Sequence, residues 1–126
     1  MTIGFVYLLS NESMPGLFKV GCTNGSPHER TAVLSRATGV PTLFDVMVYI
    51  EIDNAHRVEQ LVHKKAAHLR NSGSREFFSD PLFLGLLLLW HPDRLAQHIS
   101  CSFDELVWAA GKEHAWQLDD PWGGAI

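Results

Sequence analysis

The 126-residue sequence has few cysteines and no long apolar run, and each shortage excludes a class of protein. Cys22 and Cys101 lie far apart, with no paired spacing and no apolar leader before them, which argues against a disulfide-stapled secreted domain. We therefore expect a cytoplasmic protein. The longest apolar run, Leu82 to Trp90, falls short of the roughly 20 residues that a membrane-spanning helix needs. It predicts a buried helix and no membrane partner.

Basic residues are also few, and the net charge of −4 is unfavourable for binding a polyanion, which depends largely on lysine and arginine. The acidic excess, however, is concentrated near the C-terminal end. Residues 1–80 hold eight basic and eight acidic side chains, whereas residues 81–126 hold two and six. The first part of the chain is therefore neutral, and nucleic acid stays open as a partner.

The composition of the chain predicts a folded domain, since 46% of the residues are hydrophobic and 19% are charged. Apolar periodicity and capping residues predict strands at 3–9, 17–22 and 43–52, and helices at 27–37, about 54–70 and 81–91. The order β-β-α-β-α-α indicates a small three-stranded antiparallel sheet flanked by helices.

The C-terminal part is expected to be an acidic, tryptophan-containing helical extension, 92–126, added to a first domain at 1–91. We expect a helical turn at Pro92 to His98 and a helix from Phe103 to Gly111. Two surfaces are candidates for association: the apolar helix 82–90, through which a homodimer would form, and the tail, which would contact another protein.

Five short blocks in a fixed order carry the functional signal, and they span Val6–Gly21, Ser26–Arg30, Thr38–Pro41, Glu59–His63 and Arg75–Phe78. In residue type and order they resemble a small single-domain branch of the GIY-YIG nuclease superfamily. Phe5-Val6-Tyr7 stands where that superfamily has Gly-Ile-Tyr, and Lys19-Val20-Gly21 stands where it has Tyr-Ile-Gly.

The resemblance implies a GIY-YIG fold and a metal-dependent endonuclease that hydrolyses nucleic-acid phosphodiester bonds, with DNA as the expected substrate and Mg²⁺ or Mn²⁺ as cofactor. It implies that Tyr7 orients or deprotonates the attacking water and that Arg30 holds a phosphate oxygen through its planar fork. Glu59 would be the single carboxylate on the metal, which keeps several waters.

The remaining candidate residues are those where the sequence departs from the superfamily pattern. Lys19 replaces a tyrosine and could bind phosphate as a point charge or act as a base. Many members have a histidine or tyrosine where this chain has Leu34, and His63, one helical turn beyond Glu59, is a candidate to take over that task. Glu76 is a candidate for a second acidic residue of the site.

Two other interpretations stay open. His56, Glu59 and His63 have helical spacing and, with His68 nearby, could form a transition-metal cluster. Alternatively, the chain keeps a nuclease fold but cuts weakly or not at all, and acts as a binding or regulatory module through its acidic C-terminal extension.

Overall fold

The computed structural model describes residues 2–37, 44–71, 77–112 and 119–123. Its architecture is α/β, as predicted, and the strands form one antiparallel sheet in the order β4-β2-β1-β3-β5. In chain order the elements are β1 (Ile3–Ser10), β2 (Phe18–Thr23), α1 (Pro27–Ala37), β3 (Asp45–Asp53), α2 (Ala55–Lys65), a 3₁₀ turn (Ala67–Leu69), β4 (Phe77–Phe78), α3 (Pro81–Leu89), β5 (Ala96–Ile99) and α4 (Cys101–Ala109).

The prediction of a three-stranded sheet was wrong, because β4 and β5 extend the sheet on both sides. β4 pairs with Phe18 and Lys19 of β2. The helical turn predicted at Pro92 to His98 was also wrong, since that segment contributes β5. Leu95 N–H donates to the Glu51 carbonyl at 2.8 Å, and strand pairing continues from there along β3. The segment thus satisfies backbone groups of β3 that would otherwise form an open sheet edge.

The two faces of the sheet bury different side chains, because residues alternate along each strand. One face carries the main core, in which Val6, Leu8 and Ile50 meet α2, α3 and α4. The opposite face carries a smaller cluster around Tyr7 and Leu9, packed with residues that include Leu34 of α1. α1 and α2 therefore cover opposite faces.

α3 accounts for the longest apolar run of the sequence. The Asp80 side chain accepts a hydrogen bond from Phe83 N–H at 3.2 Å and caps its first turn. Leu84 and 86–89 are buried within the chain, so little of this helix faces outward. The homodimer through 82–90 stays a prediction. None of the described helices is both long and apolar enough to cross a lipid bilayer.

The sheet and the main core continue past residue 91. Phe103 and Val107 of α4 are buried in the main core. Trp122 is also buried there, and its indole N–H donates to the Leu87 carbonyl at 2.7 Å. The boundary between a domain at 1–91 and an extension at 92–126 stays a prediction, but the described part of 92–126 packs on the same sheet.

Substitution of two aromatic residues of α4 tests whether this helix packs in the core. Phe103 is fully buried and Trp108 is 63% exposed. We expect Phe103→Ala to lower the free energy of unfolding by about 3–5 kcal/mol, as for other buried aromatic truncations. The matched control Trp108→Ala should change it by less than about 0.5 kcal/mol. Urea unfolding followed by circular dichroism measures both, and equal losses would contradict the packing of α4 in the core.

Candidate active site

Tyr7 and Gly21 form the centre of the candidate site. Tyr7 of β1 is directly opposite Gly21 of β2. A Cβ placed on Gly21 would lie 2.6 Å from the Tyr7 hydroxyl and 2.7 Å from two of its ring carbons. The ring therefore lies across the glycine, and any larger residue would displace it. This close approach explains why glycine is needed at position 21.

The position of Gly21 brings the Tyr7 hydroxyl to what is, among the described residues, an edge of the sheet. Within the described residues, β4 pairs with Phe18 and Lys19 of β2. The later part of β2, from Val20 to Thr23, has β1 as its partner strand. Side chains from the two faces of the sheet can meet at this edge.

Arg30 approaches Tyr7 from α1. The helix begins at Pro27, and Ser26 accepts the backbone N–H of Glu29 at its N-terminus. Arg30 lies one turn in, is exposed, and its side chain hydrogen-bonds Tyr7. Burial raises the pKa of the Tyr7 phenol above its usual range, and the Arg30 hydrogen bond and charge oppose that rise. Tyr7 therefore holds its proton at neutral pH.

Glu59 reaches the same edge from α2, on the opposite face. Its charge also raises the pKa of Tyr7, as would an ionised Cys22, so both groups lie within electrostatic reach of the phenol. The Glu59 side chain is only 19% exposed. The structure thus brings together three of the predicted site residues, Tyr7, Arg30 and Glu59.

His63 lies one turn beyond Glu59, as expected, but it makes a structural contact. Its Nε2 lies 2.8 Å from the Val20 carbonyl oxygen and 3.8 Å from Glu59 Oε1. A carbonyl only accepts, so Nε2 carries the proton and donates it. This bond ties α2 to β2 and holds Glu59 near the strand, while a proton-transfer role for His63 stays a prediction.

The structure assigns different surroundings to the other candidates. Lys19 is on the same face of β2 as Gly21, and its Nζ lies 5.8 Å from the centre of the Phe77 ring. Leu34 packs with Tyr7 in the smaller cluster, so the position that the resemblance compares with a histidine or tyrosine is a packing position in this chain. Glu76 lies outside the described residues.

Cys22 is a site residue that sequence reasoning missed. Its Sγ lies 3.9 Å from His56 Nδ1, and donor atoms of Cys22, His56 and Glu59 all lie within 4.8 Å of one another. These three residues, the Cys22–His56–Glu59 group, differ from the His56, Glu59 and His63 cluster considered from the sequence. The ring of His68 packs instead on Phe83, 5.8 Å away between centres. The helical spacing in the sequence predicted His56 and Glu59 as members of a metal site. Cys22 comes close to them only because β2 lies beside α2 in the fold.

The Cys22 thiol is kept neutral by its surroundings. Burial, a hydrogen bond to Glu59 and the charge of Glu59 raise its pKa to about 12, against a smaller opposing effect of Arg30. At pH 8 a thiol with that pKa is ionised in only about one molecule in ten thousand. Since the thiolate is the reactive form, Cys22 should resist alkylation.

A chemical experiment tests this electrostatic arrangement. In metal-free buffer at pH 8, we expect iodoacetamide to modify exposed Cys101 well before Cys22. Glu59→Gln removes the nearby negative charge, so it should lower the pKa of Cys22 and speed its alkylation about tenfold. Peptide mass spectrometry measures both rates, and Glu105→Gln on α4 is the control. Unchanged alkylation of Cys22 in Glu59→Gln would show that the carboxylate does not act on the thiol.

Part of the chain matches a known protein family. A family model, the T5orf172 domain, matches residues 4–86. That family is associated with nuclease-type domains. The match runs from β1 into α3 and so includes the elements that carry Tyr7, Arg30 and Glu59. No curated protein and no solved structure matches the chain.

Proposed function

Because the chain belongs to the T5orf172 domain family, we propose that it is a metal-dependent endonuclease of GIY-YIG type that hydrolyses phosphodiester bonds in DNA. The observation that carries this proposal is that the Tyr7 phenol is hydrogen-bonded by the Arg30 guanidinium and lies within electrostatic reach of the Glu59 carboxylate. They come from β1, α1 and α2 and are not neighbours in sequence. Phosphodiester hydrolysis needs these functions: a positioned water, a cation on the phosphate and a metal ligand.

Arg30 binds the phosphate in this proposal. A guanidinium has five donor hydrogens, so Arg30 can keep its bond to Tyr7 and still present donors to a non-bridging phosphate oxygen. Its exposure supports this role, because the substrate approaches from solvent. Negative charge develops on that oxygen as the water attacks, and Arg30 stabilises it.

Tyr7 positions the water. Its raised pKa supports an orienting role over proton abstraction, because a phenol that holds its proton at neutral pH is a weak base. The hydrogen bond from Arg30 fixes the hydroxyl at the edge of the sheet. Arg30 and Tyr7 therefore act as a pair that aligns the water with the phosphorus.

Glu59 would hold the divalent ion. A carboxylate is the ligand type that Mg²⁺ and Mn²⁺ prefer, and Mg²⁺ commonly uses one or two protein carboxylates with several waters. When bound, the ion offsets negative charge at the phosphate. His63 contributes by tying α2 to the Val20 carbonyl, which keeps Glu59 in place.

The local distribution of charge supports binding to nucleic acid despite the net charge of −4. α2 and the turn after it carry four exposed basic residues: Arg57, Lys64, Lys65 and Arg70. Each can neutralise a phosphate, and binding should therefore weaken as the salt concentration rises. Lys19, on β2, adds a further positive charge near the predicted site.

The alternative function is a nuclease fold that binds a partner without cutting. It is favoured by Trp108, which is 63% exposed on α4 close to the acidic Asp104 and Glu105. A large exposed aromatic surrounded by charge is typical of a contact surface.

A cleavage assay tests the proposal. Purified protein is incubated with supercoiled plasmid and with labelled oligonucleotides, with Mg²⁺, Mn²⁺ or EDTA. We expect metal-dependent nicking that falls by about a hundredfold or more in Arg30→Ala and in Glu59→Gln, because each removes charge stabilisation at the phosphate. Tyr7→Phe, which keeps the ring over Gly21, should fall by at least about tenfold.

Matched variants control for folding and for charge. Arg36→Ala removes an arginine from the last turn of α1, and Tyr49→Phe removes the other tyrosine hydroxyl of the chain. Both should cleave like the wild type. Activity that is equal in Arg30→Ala, Glu59→Gln and the wild type, or that persists in EDTA, would refute the nuclease assignment. Binding of DNA by the folded wild type without cleavage would favour the alternative function.

A further inference from the structure

We propose that the Cys22–His56–Glu59 group binds a thiophilic divalent cation of the Zn²⁺ type. This ion would share Glu59 with the magnesium proposed for the nuclease, and so the two would exclude each other. The binding site rests on the geometry of the three side chains alone. Its consequence, inhibition of cleavage by zinc, rests on the proposed function.

The distances suit a single ion. A tetrahedral Zn²⁺ with a sulfur ligand at about 2.3 Å and a nitrogen ligand at about 2.0 Å sets those two atoms about 3.5 Å apart. Cys22 Sγ and His56 Nδ1 are separated by 3.9 Å, and no pair within the group exceeds 4.8 Å. The contractions needed, at most about 1.5 Å, are within reach of side-chain rotation. The backbone need not move.

The combination of donors selects the class of metal. Sulfur and imidazole nitrogen are soft and intermediate ligands that favour Zn²⁺ and similar ions over Mg²⁺, which requires oxygen. Two protein donors of this kind beside one carboxylate resemble the three-ligand sets of zinc sites that keep a fourth position for water. The group therefore offers a site with one accessible position.

Secondary structure positions all three residues of the group. His56 and Glu59 are three residues apart on α2, which places them on one face of the helix. Cys22 is fixed in β2 by its pairing with Val6 of β1. The bond from His63 Nε2 to the Val20 carbonyl joins the helix to the strand next to the group. Since this nitrogen already donates its proton, His63 supports the site and does not serve as a ligand through Nε2.

Titration with Co²⁺ tests the site without any need for enzymatic activity. Cobalt occupies zinc sites, and a cobalt–thiolate bond produces an intense near-ultraviolet charge-transfer band. We expect the full chain to bind one Co²⁺ with this band, and Zn²⁺ to displace it. Cys22→Ser should abolish the band, and His56→Gln should weaken binding by about tenfold or more.

Two variants control for the other side chains of the same types. Cys101→Ser removes the only other cysteine of the chain, and His68→Gln removes a histidine from the turn after α2. Both should retain the band and its affinity. Circular dichroism confirms that every variant folds. The absence of the band in the wild type, its persistence in Cys22→Ser or its loss in Cys101→Ser would each overturn the site.

The inhibition is measured separately. In plasmid cleavage with Mg²⁺, micromolar Zn²⁺ should inhibit the wild type and Cys101→Ser equally, and half-inhibition of Cys22→Ser should need about ten times more zinc. If zinc inhibited Cys22→Ser as strongly as the wild type, the proposed competition between zinc and magnesium would be refuted. A wild type that shows the cobalt band but never cleaves DNA would refute the proposed nuclease, while the metal site would stand.

Discussion

The close packing of the Tyr7 ring on Gly21 is the constraint on which the rest of the candidate site depends. A Cβ at position 21 would lie 2.6 Å from the phenol oxygen, so the ring can cross β2 only because that residue is glycine. Crossing β2 carries the hydroxyl from one face of the sheet to an edge. There Arg30, from the helix on the same face, hydrogen-bonds the hydroxyl, and Glu59 and Cys22, on the other face, lie within electrostatic reach of it. The register that pairs Tyr7 of β1 with Gly21 of β2 therefore also brings groups from the two faces of the sheet close together.

Burial determines the chemistry of these groups. Burial raises the pKa of both Tyr7 and Cys22, since the anion that each would form is poorly hydrated inside the protein. Arg30 opposes the rise at both residues, whereas Glu59 adds to it. The resting site therefore combines a neutral phenol and a neutral thiol with one guanidinium and one carboxylate. The cation faces solvent, and under the proposed function a phosphate that enters there would replace water around a charge that is already positioned.

The sequence predicted the elements that have their own periodicity. β1, β2, α1 and β3 lie within about two residues of the expected bounds because alternation, proline and capping residues mark them locally. β4 has only two residues, Phe77 and Phe78, which indicate an extended piece but not a strand of the sheet, and β5 has a single large apolar residue, Ile99. Both form because the backbones of β2 and β3 provide hydrogen-bonding partners, and such tertiary pairing is not encoded in local spacing. Cys22 was missed for the same reason. Its proximity to His56, 34 positions away, depends on how α2 crosses β2.

Glu59 connects the two proposed metal sites, because the donors that accompany it would determine which ion it holds. With water as the remaining ligands it suits a hard ion, and with Cys22 and His56 it suits a soft one. The pKa of about 12 for Cys22 means that, near neutral pH, the thiol is neutral and is no ligand for magnesium. A soft cation would remove the proton from the Cys22 thiol, because a metal that binds sulfur displaces the proton of the thiol. The carboxylate that keeps the thiol protonated in the metal-free chain also draws the cation to it. Selectivity at the proposed metal site would therefore depend on the competition between a proton and a metal ion for one sulfur atom.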